Sequence, residues 1–297
     1  MNNLTTVQQD NARVLSLLAD YLVSRPAFID ADMMQEMSAV TRTGEEVYRL
    51  LLSVAMGLDV EENPSDKLLY RGYFPLMVSS VQENTVRHDP YCRLIPFRDC
   101  ASGAVELTHD TIAPYEAFVR DDFLLTEDGR VIPQIGYFRT ECRYPALKSG
   151  GRLWMSVTPN EINTMKEPVA HATGHVLTFG LGLGYYALLA SEKEDVLSVT
   201  CVERDADVIA LFETAILPHF PHREKIHVVR EDAFAFAERE LPSDRYDAVF
   251  TDLWHDVGDG LPLYERMLAL APLAPRARHD YWIEKTLKCY LGNHFAE

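Results

Sequence analysis

Residues 178–187 read TFGLGLGYYA, with Gly180, Gly182 and Gly184 spaced two apart. The run before them, HVLTF, is apolar and β-branched, and the run after them is helix-forming. Glycines at a strand-to-helix turn permit positive φ and close backbone approach, so the stretch reads as a ligand-cradling loop. Farther on stand Glu203, the run Glu231-Asp232-Ala233, and DLWHD, which is Asp252 to Asp256. In DLWHD, His255 is a candidate general base, because histidine exchanges a proton near neutral pH. Trp254 offers an apolar wall or a face for a cation. An isolated acid at a strand end also serves as a helix cap, so order and spacing must decide.

These residues need elements to hold them. From about His175 the chain alternates strand and helix: VLTF, then GYYALLASEK; VLSVTCVE, then ADVIALFETAIL; KIHVVRED, then AFAFAEREL; and last YDAVFTDLW. That rhythm calls for a parallel sheet wrapped by helices with right-handed crossovers. Ligands of such sheets sit beyond the carboxyl ends of the strands. The residues named above fall at those ends.

The glycine spacing chooses among ligands. A dinucleotide fingerprint, G-x-G-x-x-G, would need its third glycine at Tyr185 or Ala187, and no Walker lysine follows the loop. What remains is G-x-G-x-G, which resembles motif I of the class I S-adenosylmethionine (SAM) methyltransferases. The resemblance covers about residues 170–256. It implies an α/β fold with a Rossmann-like parallel sheet of the SAM-methyltransferase type and S-adenosyl-L-methionine as cofactor. It implies that Gly180, Gly182 and Gly184 form the cofactor loop. Glu203, nineteen residues after Gly184, would accept from both ribose hydroxyls. Asp232 would take a proton of the adenine amino group, with the Ala233 N–H at the ring nitrogen. Asp252 would lie near the methionine moiety and the substrate, making Asp252, His255 and Asp256 the catalytic candidates.

Two departures stand out. Thr178 replaces an acid that the family often uses to hold the SAM amino group. The tail after Asp256 has too few residues for the usual two helices and three strands. HDYWIEKTLKCYLG reads as a helix started by Asp280, with Ile283, Leu287 and Leu291 on one face and Gly292 last; a fifth strand at YWIE is the alternative. The spermidine synthases, aminopropyltransferases that use decarboxylated SAM, share the layout of a β-rich part before a SAM-type fold. Their loop acid is replaced by Leu183. Their fourth-strand D-S-x-D-P becomes Asp252-Leu253-Trp254-His255-Asp256. Their Tyr-Gln pair falls at Thr164 and Met165.

The chain before this fold reads as a helical segment over 1–62 and a β-rich cover over 63–165, leaving 166–297 for the SAM-binding domain. Val7, Leu15, Leu18 and Leu22 share one helix face. Asp30 caps a second helix carrying Met33, Met34 and Met37. Thr43 and Glu46 form a capping box for a third, which stops at Gly57. Residues 65–158 read as strands and turns, with a hairpin about Asp128-Gly129 and a strand RLWMSV after Gly150-Gly151. PNEINTMKEPVAHA reads as a helix or loop. His171 and His175 read as loop residues, and His219 and His222 as surface.

Composition bounds the rest. The chain has 297 residues, 47% hydrophobic, enough for a sizeable core. A net charge of −17 opposes DNA, RNA and anionic membrane, since those partners need cationic surface. Five cysteines without a C-x-x-C pair fit a reducing cytoplasm, and MNNLTTVQQD lacks the marks of a signal peptide. The expectation is a cytoplasmic SAM-dependent methyltransferase acting on a small molecule, neither nucleic acid nor membrane being its partner. An aminopropyltransferase and a non-catalytic nucleoside-binding protein are the alternatives, and a homo-oligomer stays open.

Overall fold

The computed structural model describes residues 2–38, 44–292 and 294–295. In chain order its elements begin with α1 (Asn2–Ser24), α2 (Ala31–Ser38), α3 (Gly44–Ala55), α4 (Pro64–Met77) and β1 (Val78–Ser80). Then come α5 (Thr85–His88), α6 (Pro90–Leu94), β2 (Cys100–Ser102), β3 (Val105–Ile112), β4 (Phe118–Leu125) and β5 (Val131–Tyr137). They are followed by β6 (Cys142–Ser149), β7 (Arg152–Ser156), α7 (Pro159–Thr164) and α8 (Lys166–His171). The remainder is β8 (Gly174–Phe179), α9 (Tyr185–Ser191), β9 (Val196–Glu203), α10 (Ala206–Leu211), β10 (Ile226–Arg230), α11 (Ala233–Glu240), β11 (Ala248–Thr251), α12 (Val257–Leu270), β12 (Arg278–Tyr281) and α13 (Glu284–Leu291).

Two compact units interleave along the chain: Met1–Thr85 with Thr111–Arg143 and Lys288–Glu297, and Val86–Asp110 with Tyr144–Leu287. The contiguous segments 1–62, 63–165 and 166–297 therefore do not coincide with the packed bodies.

In the first unit, helices α1 to α4 enclose a core of Val14, Leu18, Tyr21, Tyr48, Phe74 and Ile135 among others. The α1 stripe runs through Asn11, Val14, Leu18 and Tyr21, while Leu15 and Leu22 flank it. A polar residue, Asn11, sits at its centre and is 1% exposed. Its Nδ2 donates to the carbonyls of Gly129 and His294, and its Oδ1 accepts from the Tyr73 hydroxyl and the Val131 N–H. Asp30 caps α2 by accepting from Met33 N. Helix α3 ends in a Schellman turn, with Gly57 at φ 85° and Leu58 N donating to Ser53 O. The Thr43–Glu46 box lies outside the described residues, because Thr43 does. The β4–β5 hairpin turns through Gly129 at φ 87°, and β1 adds in parallel to β5.

One expectation for this stretch is corrected. Residues 65–77 are helix, not strand and turn: Asn63 accepts from Ser65 N and Asp66 N, and Pro64 occupies the first helical position.

The second unit carries a five-stranded, wholly parallel sheet in the order β10-β9-β8-β11-β12. Chain direction along the sheet reverses between β8 and β11, the point where such sheets open a crevice at their carboxyl ends. Below it lies a core that includes Leu177, Phe179, Val249, Phe236 and Tyr264. Most of a further four-stranded sheet, β2-β3-β6-β7, falls in the same unit; its β2–β3 and β6–β7 pairs are antiparallel, and the Gly150-Gly151 turn joins β6 to β7.

The tail differs from its sequence reading. A fifth strand exists, but it is Arg278–Tyr281 rather than YWIE, and Asp280 pairs with Phe250 across the sheet instead of starting a helix. Asp280 also meets the His171 ring at 3.0 Å. The chain then kinks at Ile283, φ 47°, before α13. Leu287 is buried and Leu291 exposed, so no apolar stripe runs from 283 to 291. Edge pairing with β11 outweighs the local helix signal.

Among the described residues no helix is long and apolar enough to cross a membrane.

Candidate functional site

A cavity of about 310 Å³ opens at the carboxyl ends of β8 to β11 in the second unit. Its wall includes Gly180, Gly182, Glu203, Asp232, Ala233, Asp252 and His255, so seven of the sequence candidates converge there. Thr178, Gly184 and Asp256 are not part of the wall.

The loop after β8 is held from several sides. Gly180, Gly182 and Gly184 have φ of 94°, 49° and 70°, values that L side chains resist. A Cβ on Gly180 would meet the Asp252 carbonyl oxygen, one on Gly182 the Met155 sulfur, and one on Gly184 the Phe212 ring. The bareness of these residues thus serves packing within the protein as well as any ligand. Gly184 begins α9 as its left-handed N-cap. Tyr91 donates its hydroxyl to Leu183 O at 2.9 Å, and Tyr185 donates to Asp89 at 2.8 Å, which tie α6 to the loop. Thr178 is buried beneath the loop and donates to Gly180 O at 3.3 Å. Its hydroxyl thus serves the loop from within.

Glu203 ends β9 with its carboxylate engaged by amides. Oε1 accepts from Arg204 N and Asp205 N, both at 2.8 Å, and Oε2 from Leu181 N at 3.3 Å. A carboxylate has about four acceptor sites, which leaves capacity for one more donor at Oε2. Asp232 caps α11 through Oδ1, which accepts from Phe234 N and Ala235 N at 3.0 Å each. Oδ2 takes no part in the cap.

The loop after β11 divides its acids by task. Asp256 is exposed and caps α12: its Oδ1 accepts from Gly258 N at 2.7 Å, and Asp259 returns the bond in a capping box. His255 places Nδ1 3.0 Å from Asp259 Oδ2, while its Nε2 is buried without a partner. Burial raises the Asp259 carboxyl, but its bonds from His255 and the backbone outweigh this and hold it below its ordinary value.

Sequence reasoning passed over Glu161. This residue lies in the first turn of α7, is 5% exposed, and lines the cavity with Oε1 buried and unpartnered. Burial, reinforced by the negative charge of Asp252, pushes its carboxyl well above the usual range. Burial likewise pushes Asp252 up to about 7. An acid in a first helical turn is the commonest of dipole-favoured placements, so nothing in PNEINT marked it.

Compared with known protein families and with curated proteins, the sequence matches none.

Strand β7 closes over this site. Opposite it on β6, Leu147 pairs with Met155 and Lys148 with Leu153, so Trp154 is an extra, unpaired residue. A bulge re-aims side chains and is common beside functional sites. Here both Trp154 and Met155 line the cavity. The Trp154 ring stands edge-on to His255 with centroids 3.7 Å apart, and Met155 Sδ accepts from Leu183 N at 3.0 Å.

Proposed function

We propose that the cavity binds S-adenosyl-L-methionine and that the protein is a methyltransferase acting on a small molecule. The observation that carries this reading is the convergence of the glycine loop, Glu203, Asp232 and Asp252 on one cavity at the ends of four successive parallel strands. The volume stands at the low end of ligand cavities, ~300–1,000 Å³, and suits one nucleoside-sized ligand. The orphaned polar atoms of Glu161, Trp254 and His255, all wall residues, fit a site that completes its hydrogen bonds with a ligand.

In this reading Glu203 Oε2 accepts from a ribose hydroxyl, a single bond rather than the pair expected from the resemblance. Asp232 Oδ2 accepts from the adenine amino group, beside the Ala233 N–H. When bound, the cofactor supplies a methyl group on a positively charged sulfur. The protein's share is to align the acceptor, keep water out behind Trp154 and Met155, and take the acceptor's proton at His255 Nε2. Asp259 fixes the imidazole for that task by accepting the Nδ1 proton. General-base help of this kind is worth ~10²–10⁴ in rate.

A thermal-shift panel of SAM, S-adenosylhomocysteine, methylthioadenosine and NAD tests the reading. A nucleoside at one hundred times its dissociation constant adds about 2.7 kcal/mol of stability. Stabilisation by NAD alone would remove the reading.

A further inference from the structure

Five acids and one arginine, Arg204, line the cavity; backbone amides hold Glu203 and Asp232 and the Arg239 guanidinium holds Glu231, which leaves Glu161 and Asp252. Glu161 and Asp252 both line it, and among the described residues neither makes an ion pair. Two carboxyls withdrawn from water in one cavity do not readily ionise together unless a cation joins them. Each is held toward its neutral form, Glu161 by burial and by Asp252, Asp252 by burial. Around them stand Trp154, Trp254 and Trp282, all three tryptophans of the chain. Indole faces attract cations, Trp most of all the aromatic residues.

We propose that Glu161 and Asp252 together bind a protonated primary amine inside this cavity. The aromatic wall favours an organic cation over a bare metal ion. The unpartnered Glu161 Oε1 calls for an N–H donor, which a quaternary ammonium lacks and a primary ammonium has in threefold. The inference names the acceptor class of the site proposed above and rests on that reading for its link to transfer chemistry. The ammonium has two sources: the acceptor, or the α-amino group of the SAM-type ligand itself.

Calorimetry on the full chain separates them. Butylamine is compared with its neutral counterpart butanol, with and without S-adenosylhomocysteine, in the wild type, Glu161→Gln and Asp252→Asn. Binding of butylamine and not butanol, weakened tenfold or more in each variant, assigns the ammonium to the acceptor. Loss of S-adenosylhomocysteine affinity in Glu161→Gln, with methylthioadenosine unaffected, assigns it to the nucleoside ligand. Either result supports the carboxyl pair as an ammonium site. Equal binding of butanol and butylamine, or unchanged affinity for both butylamine and S-adenosylhomocysteine in both variants, overturns it. Should the amine bind while no nucleoside does, the ammonium site stands and the methyltransferase reading falls. Glu161→Gln is expected to melt no lower than the wild type, since it removes a buried acid without a partner. The wild-type comparison of amine and alcohol reads out independently of either variant's folding.

Discussion

Nδ1 of His255 lies 3.0 Å from Oδ2 of Asp259, four residues later at the start of α12. Asp259 also accepts from the backbone N–H of His255 and of Asp256. One carboxylate therefore orients an imidazole and anchors a helix terminus. Asp256→Ala removes only the cap and should cost about 1 kcal/mol in urea unfolding, with nucleoside affinity unchanged. Asp259→Ala should cost a similar amount and, in addition, slow transfer of radiolabelled methyl from SAM on the order of a hundredfold.

Gly180→Ala faces two penalties at once. Its φ of 94° is hostile to a side chain, and the new Cβ would meet the Asp252 carbonyl, a backbone atom that cannot swing away. Loss of roughly 1–3 kcal/mol or more is expected from chemical denaturation.

Met155→Ala should act in the opposite sense on ligand binding. It frees the Leu183 N–H and the space above Gly182, both now taken by the thioether. Calorimetry with S-adenosylhomocysteine should give a tighter complex than the wild type; a weaker one would make Met155 part of the binding wall.

Glu203→Gln keeps an acceptor oxygen but loses charge assistance. A hydrogen bond to a charged group is worth about 1.5–3 kcal/mol, so nucleoside affinity should drop roughly tenfold to a hundredfold. An unaltered dissociation constant would leave Glu203 with its loop amides alone.

The acid pair ties stability to pH. Asp252 rises from 3.8 to about 7 on folding. The folded chain then holds more protons than the unfolded one across that interval, so stability falls as pH climbs through it. Melting temperature should decline from about pH 4 towards pH 7, and Asp252→Asn or Glu161→Gln should flatten the curve.

The glycine loop and its strand-end acids were legible in the sequence because their requirements are local. Positive φ admits glycine, and the βα rhythm sets the distance from one strand end to the next. Asp256 and Asp232 show the limit, since capping and ligand contact ask for the same residue type at the same place. Glu161 was invisible because its meaning comes from burial and from the charge of Asp252, ninety-one residues away in sequence. Asp280 was misread because a four-residue edge strand, RHDY, has no alternation to announce it, and its pairing with β11 is entirely non-local. Helix α4 was readable: Asn63-Pro64 followed by Asp66 is a helix start, overlooked within a stretch whose texture was otherwise β.

The four hydrogen bonds of Asn11 carry a consequence for how the chain is made. Two of them join Asn11 to residues 118 and 283 positions away, so that all three stretches of one packed body meet at this side chain. A ribosome adds about 5–20 residues per second, so His294 follows Asn11 after an interval on the order of tens of seconds. The other body, Val86–Asp110 with Tyr144–Leu287, has all its strands in hand before that interval ends. The core partners of Val14, Leu18 and Tyr21, the last of them Tyr137, are made well before this, so it is the polar bond from Asn11 to His294, and not the apolar core of α1, that waits longest for its partner.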